Sequence, residues 1–267
     1  MTVLNVFAGD EGEYIKVECE PNCTVAELKK NIHQSTNIKP YCQQILGKCE
    51  SHTLNYDYTL TEQDSSGLLL ITIKPSELWA PSNVFNIDNE TATWNEPLDN
   101  FDISHAYNNY IWMKYNLPTH SKHQMSFRLK HHLAYGGHMC GLISSETEGD
   151  SDTFDKENGW FLQTFKESEN GKGNACLVGH TTDQIGDETV ELEYCNTSEK
   201  QLRWGELNDC NIVTMEADLD ARTLKFWFNG RRVGRYFKDV QPRVRWAASV
   251  YWGGSAVQVV ETPSDLE

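Results

Sequence analysis

The feature that most constrains the fold is the near absence of helical periodicity after residue 84. Short apolar runs separated by Gly, Asn and Asp clusters recur there instead, at 124–130, 139–144, 159–164, 175–179, 189–194, 211–216, 223–228, 245–252 and 256–260. Many short strands with turn residues between them are typical of an all-β sandwich. We therefore predict an antiparallel β-sandwich over residues 84–267.

The clearest strand pair is predicted within residues 213–237. Leu224, Phe226 and Phe228 alternate with Thr223, Lys225 and Trp227, which makes one face of this strand strongly apolar. Asn229-Gly230 follows directly, and both residue types accept the positive φ of a two-residue hairpin turn. Residues 233–237 are predicted to return antiparallel to the first strand.

This hairpin and its surroundings resemble the SPRY domain. The resemblance rests on the turn at Asp218 and Asp220, on 226–230 (Phe-Trp-Phe-Asn-Gly), on 234–237 (Gly-Arg-Tyr-Phe) and on a strand ending in Gly-Gly at 246–254. It implies a concanavalin-like sandwich of two sheets, without enzymatic activity, that binds a peptide or protein through loops at one rim. Concanavalin-like sandwiches also include lectins, so carbohydrate binding stays open as an alternative.

Four aromatic residues are candidates for partner binding by this sandwich. Tyr135, Trp160 and Trp204 lie next to glycine-bearing loops, and alternation places Trp227 on the side opposite Phe226. Tryptophan and tyrosine are enriched in binding hot spots. The alternative for all four is a role in the core or in packing against another domain.

The first 75 residues predict a different architecture, in the order strand, turn, strand, helix, strand, strand. Thr24 and Glu27 have the spacing of a capping box, which marks a helix start. Val25, Leu28 and Ile32 then form an apolar stripe on one short helix.

This segment resembles ubiquitin, without a gap over 17–32 and then 38–40, and with small insertions and deletions over 47–48, 53–54 and 57–60. The resemblance implies a β-grasp fold that acts as a built-in docking surface. It places Leu46 at the centre of an apolar patch that alternate residues of 68–71 complete. We name Leu68 and Leu70 for this role, although which pair of this strand faces out is left open and the alternative is that all these leucines are core residues. Because no terminal Gly-Gly follows the domain, we do not expect conjugation to other proteins. The predicted organisation is a ubiquitin-like domain at 1–75, a linker at 76–83 and the SPRY-like sandwich at 84–267.

Charge and composition exclude several other classes of protein. The net charge of −16 disfavours nucleic-acid binding, which uses Lys and Arg against phosphates. No apolar run reaches the roughly 18 residues of a membrane helix. The N-terminus lacks the basic start of a secretory signal, so we expect reduced thiols and a location in the cytosol or nucleus.

The sequence predicts no metal or other cofactor. The eight cysteines form no C-x-x-C pair, and the histidines at 120, 123, 131, 132 and 138 match no metal-site spacing, so surface loops are their expected setting. Cys23, just before the helix, is expected to be a small turn residue, although the helix dipole offers a way to lower its pKa.

We accordingly predict a non-enzymatic adaptor. The ubiquitin-like domain would dock one partner, such as ubiquitin–proteasome machinery, and the sandwich would bind another. The alternatives are a structural component of a cytoskeletal or other large assembly, a carbohydrate-binding protein and a ubiquitin-related cysteine hydrolase. The oligomeric state is left open.

Overall fold

The computed structural model describes residues 2–8, 12–47, 54, 57–61, 67–95, 110–119, 122–131, 136–146, 159–166, 172–179, 184–185, 190–193, 208–250, 254–263 and 266. In chain order, the elements are β1 (Thr2–Ala8), β2 (Glu13–Cys19), α1 (Val25–Thr36), β3 (Gln43–Leu46), β4 (Leu68–Thr72), β5 (Phe85–Asp88), β6 (Thr91–Trp94), β7 (Tyr110–Trp112), β8 (Lys122–His131), β9 (Gly136–Ser144), β10 (Gly159–Lys166), β11 (Lys172–Gly179), β12 (Gln184–Ile185), β13 (Val190–Glu193), β14 (Asn208–Asp218), β15 (Thr223–Phe228), β16 (Arg231–Phe237), β17 (Val244–Val250) and β18 (Ala256–Val260). Within these residues no helix is both long and apolar enough to cross a membrane.

Strands β1–β4 and helix α1 form what we call the N-terminal unit. Its four-stranded sheet has the order β2-β1-β4-β3. Strand β1 pairs antiparallel with β2 and parallel with β4, and β3 pairs antiparallel with β4. The helix packs on one face of this sheet, where Val25, Leu28 and Ile32 are buried together with inward-facing strand residues.

Helix α1 begins at the predicted capping box. The Glu27 backbone N–H donates to Thr24 Oγ1 at 3.3 Å, and the Thr24 N–H donates to Glu27 Oε2 at 2.7 Å. The capping box is therefore present, and the Thr24 backbone N–H lowers the pKa of Glu27. The last turn closes on Asn37, which adopts a left-handed φ of 62° and donates its N–H to the His33 carbonyl.

Strands β5–β18 form an antiparallel sandwich of two sheets. One sheet has six strands in the order β13-β11-β10-β9-β17-β7, and the other has eight in the order β12-β16-β15-β14-β8-β18-β6-β5. Every described pairing in these sheets is antiparallel. Side chains from both sheets share one buried cluster, including Leu142, Trp160 and Trp246 from the first and Phe127 and Phe226 from the second. The two sheets thus pack face to face, as the strand pattern predicts.

The Asn229-Gly230 turn is present as predicted. Asn229 and Gly230 have φ values of 50° and 83°, and β15 pairs antiparallel with β16 on either side of them. The Asn229 Oδ1 also accepts a hydrogen bond of 2.9 Å from the backbone N–H of Ile212. The turn is therefore tied to β14 as well as to its own hairpin.

The predicted linker at 76–83 is instead partly buried in the sandwich. Leu78 and Trp79 are 1% and 2% exposed and belong to the sandwich core. The Leu78 carbonyl accepts from the Lys114 N–H at 2.8 Å, and the Ala80 N–H donates to the Trp112 carbonyl at 2.9 Å. The polar residues and prolines around 76–83 are typical of a linker and led to that prediction. Leu78 and Trp79 are instead core residues that pack this segment against the sandwich.

The N-terminal unit and the sandwich are in direct contact. Cys42 lies in the sandwich core cluster, and Tyr41 and Ile73 pack against the same cluster. The Tyr41 hydroxyl donates to Glu90 Oε1 at 3.1 Å. Across the same junction, Glu261 Oε1 accepts from Lys39 Nζ at 3.3 Å. These contacts hold the two parts in a defined arrangement.

Replacing Gly230 by valine is expected to destabilise the fold by about 1–3 kcal/mol, because a β-branched residue is strained at positive φ. Gly234 provides a matched control in the same hairpin, since no atom lies within 4 Å of a Cβ built on it. Chemical denaturation of Gly230→Val and Gly234→Val should show a large loss for the first and little change for the second. Equal midpoints for the two variants would contradict the turn assignment.

Candidate protein-binding surface

The N-terminal sheet has one covered face and one open face. Side chains alternate along each strand, so every second residue faces α1 and the others face away. The inward set is buried beneath the helix and comprises Leu4, Val6, Val17, Ile45, Leu68 and Leu70. The opposite face carries the remaining strand residues, among which Val3, Tyr14 and Ile71 are exposed.

Four apolar residues form one continuous row across this open face. Leu46 on β3 is paired with Leu69 on β4, which is in register with Phe7 on β1. Phe7 is in turn paired with Tyr14 on β2, and their ring centroids are 5.2 Å apart. We call Leu46, Leu69, Phe7 and Tyr14 the outer row.

The outer row is exposed at one end and partly accessible along the rest. Tyr14 is 67% exposed, whereas Leu46, Leu69 and Phe7 are half-buried. Ile71, two residues beyond Leu69 on the same face, is 37% exposed. Contiguous exposed apolar side chains on a folded domain commonly mark a surface for another protein. The row therefore supplies a candidate binding surface.

The sequence prediction placed two residues of the patch on the wrong face. Leu68 and Leu70 are 1% and 0% exposed, and they face α1 in the core of the N-terminal unit. The outward positions of β4 are Leu69 and Ile71. The four residues 68–71 are all apolar, so alternation along this strand carries no sequence signal of which pair faces out. Leu46 does lie on the open face, and its part in binding stays a prediction.

The aromatic residues proposed for the sandwich have different settings. Trp160 is 1% exposed and lies in the core between the sheets, so its assignment to a binding rim is wrong. Trp227 is partly buried on the outer face of β15, where it is paired with Thr214 of β14. Tyr135 and Trp204 lie outside the described residues.

The described histidines do not form a metal site. His138 is 2% exposed within β9, and its Nε2 lies 3.3 Å from the Ala256 carbonyl. His123 is on β8, with its Nε2 3.3 Å from the Pro118 carbonyl. Both are strand residues rather than the predicted surface-loop residues, while His120 and His132 fall outside the described part of the chain. Among the residues that the structure describes, no three potential ligands cluster.

Three of the described cysteines, Cys23, Cys42 and Cys140, have the properties of buried structural thiols. Burial raises the pKa of Cys23 and that of Cys42 to about 12 in each case, and it also raises the pKa of Cys140. For Cys23, the burial effect outweighs any lowering by the helix start, so the dipole alternative is corrected. Thiols with raised pKa values stay protonated at neutral pH and are poor nucleophiles.

Comparison with known proteins finds solved structures of low similarity. No protein-family model matches the sequence, and no curated protein matches it. The SPRY domain of human HERC1 aligns with a TM-score of 0.43 and 14% identity, covering 71% of this chain and 98% of that chain. The PSpry domain of TRIM65 aligns with a TM-score of 0.41 and 9% identity, covering 69% of this chain and 92% of that chain. The two-sheet architecture itself follows from the strand pairings described above.

A pair of neighbouring substitutions tests the two faces of β4. Leu70→Asp buries an unpaired charge beneath α1 and is expected to cost at least about 3 kcal/mol. Leu69→Asp places the same charge on the open face and is expected to cost about 1 kcal/mol or less. Thermal melting of both variants measures the difference. Similar midpoints would show that the assignment of faces is incorrect.

The buried histidines predict loss of stability in mild acid. Burial lowers the pKa of His138 and of His123 from 6.5 to about 4 in the folded protein. Between these values the unfolded chain binds more protons than the folded one, so stability falls as the pH drops from 6.5 towards 4. His138→Gln removes one titrating ring, and its free energy of unfolding should depend less on pH in this window. Parallel curves for the variant and the parent protein would refute the burial of a neutral ring.

Proposed function

We propose that this protein is a non-enzymatic interaction adaptor of the cytosol or nucleus. Its N-terminal unit acts as a ubiquitin-like docking domain, and its SPRY-like sandwich binds a peptide or a second protein. The observation that carries the proposal is the outer row, which crosses all four strands of the N-terminal sheet on the face opposite α1. Ubiquitin–proteasome machinery is the proposed class of partner for this face.

Two further observations support this proposal. The mixed sheet order β2-β1-β4-β3, with α1 between β2 and β3, agrees with the β-grasp that the sequence resemblance implies. The raised pKa values of Cys23, Cys42 and Cys140 are the reverse of what an activated cysteine nucleophile needs. They argue against these three cysteines as the nucleophile of a ubiquitin-related hydrolase.

A second candidate is a structural component of a larger assembly. The observation in its favour is the junction at Tyr41 and Cys42, which packs the N-terminal unit onto the sandwich core. Two surfaces held at a set angle suit a structural element as well as an adaptor. Fractionation of native extract separates the two functions, because an adaptor is expected in the soluble fraction with exchangeable partners.

Substituting the outer row should abolish partner capture without unfolding the protein. Leu46→Asp places a charge within the row, where it must be desolvated when a partner covers it, so a loss of affinity of at least tenfold is expected. Gln34→Asp on the exposed side of α1 is a matched control that adds the same charge away from the row. Binding of full-length variants to purified proteasome and to partners captured from native extract is the measurement.

The outcomes separate the alternatives. Capture that is lost in Leu46→Asp and retained in Gln34→Asp, with unchanged melting midpoints, supports docking through the open face. Identical capture by all three proteins would rule out that face as the docking site. Covalent reaction with a ubiquitin electrophile would instead support the hydrolase.

A further inference from the structure

A cavity of about 410 Å³ lies at the junction of the N-terminal unit and the sandwich. Helix α1 and strand β3 provide one wall. Residues 113–118, strand β8 and the segment after β18 provide the other. Its volume is at the lower end of the range of about 300–1,000 Å³ that small-molecule pockets occupy. We call it the junction cavity.

The deeper walls of the junction cavity are apolar. Leu78, Met113 and Trp246 line it and are 1%, 6% and 2% exposed. Ile73 and Leu117 add further apolar surface. Such walls favour a ligand with an aliphatic or aromatic body, because its burial removes apolar area from water.

One lysine at this cavity has an uncompensated charge. Lys29 of α1 lines the cavity, and its ammonium makes no hydrogen bond or ion pair with the residues that the structure describes. Burial lowers the pKa of Lys29 to about 8. Among the other charged groups at the cavity, Lys30 is exposed to solvent, Lys122 pairs with Asp57 at 2.9 Å and Glu261 pairs with Lys39 at 3.3 Å.

A second polar group at the cavity wall is also unsatisfied. Gln43 lines the cavity and is 2% exposed. Its Nε2 donates to the carbonyls of Lys29 at 3.0 Å and Ile38 at 2.7 Å, which determines the orientation of the amide. The Oε1 atom is left buried and accepts no hydrogen bond from a described residue. Buried acceptors without a donor are rare in folded proteins.

We propose that the junction cavity binds a small apolar carboxylic acid, with its carboxylate at Lys29 and its body against Leu78, Met113 and Trp246. The ammonium of Lys29 has lost part of its hydration, and one carboxylate has the charge to pair with it. A charge-assisted hydrogen bond between the two groups would offset the free energy that the lysine loses through dehydration. Lys30 and Lys122 also line the cavity, but Lys30 is exposed and Lys122 is paired with Asp57, so the cavity offers one partly buried, unpaired ammonium to a ligand with one charge.

Occupancy of the cavity would couple the two parts of the protein. The walls belong to both the N-terminal unit and the sandwich, so a ligand that contacts both stabilises their contact by mass action. This inference is independent of the outer row, which lies on the face of the N-terminal sheet away from α1.

The test uses the full-length protein and defined probes. Decanoate and 2-naphthoate are the acids, and decanol and 2-naphthalenemethanol are their uncharged counterparts. Calorimetric titration and thermal melting measure the binding. We expect the acids to bind and to raise the melting temperature, and the alcohols to bind at least tenfold more weakly.

Variants of the cavity separate charge from shape. Lys29→Met removes the ammonium and should weaken acid binding at least tenfold, whereas Lys16→Met on the opposite face of the sheet should have no effect. Ala26→Phe adds bulk at the cavity wall and should weaken acids and alcohols alike. Melting midpoints without ligand confirm that each variant is folded.

Three results would overturn the proposal. The first is no binding of either acid at millimolar concentration. The second is equal affinity for acids and alcohols, which would remove the role of the carboxylate. The third is unchanged acid binding by folded Lys29→Met or folded Ala26→Phe, which would place the acid elsewhere on the protein.

Discussion

Strand alternation is the constraint on which both parts of this protein depend. Successive side chains of a strand point to opposite faces, so the apolar residues on one face can be buried together in a core. Burying this apolar surface is what stabilises the strand in the fold. In the sandwich, Phe226 and Phe228 meet residues of the opposite sheet. In the N-terminal unit the same rule sends Leu68 and Leu70 under α1 and leaves Leu69 and Ile71 outside. The outer row is thus a direct result of a core formed on the other face.

The junction between the two parts adds a second level of organisation. Cys42 contributes to the core of the sandwich although it follows α1 of the N-terminal unit. Tyr41 combines apolar packing with a hydrogen bond to Glu90, an arrangement suited to the edge of a core. Leu78 and Trp79 anchor the connecting chain in the same region. The junction cavity lies beside these contacts, so its shape depends on residues far apart in sequence.

Local signals in the sequence predicted the features that depend on neighbouring residues. The capping box at Thr24 and Glu27 and the turn at Asn229-Gly230 are both present, because each satisfies a backbone requirement within a few residues. The strands predicted after residue 84 correspond to described strands for the same reason, since period-two patterns are local. Strands β5, β6, β7 and β12 were missed because each is only two to four residues long, too short for a period-two pattern to stand out.

The sequence by itself determined the classes of element, the start of helix α1 and the antiparallel sandwich. Only the tertiary structure decided which leucines of β4 are exposed, since an all-apolar run has the same pattern in either register. It also decided that Trp160 is a core residue, that Leu78 and Trp79 are anchored, and that Lys29 and Gln43 border one cavity with Trp246. These properties arise from contacts between segments distant in the chain, and no local pattern encodes such contacts.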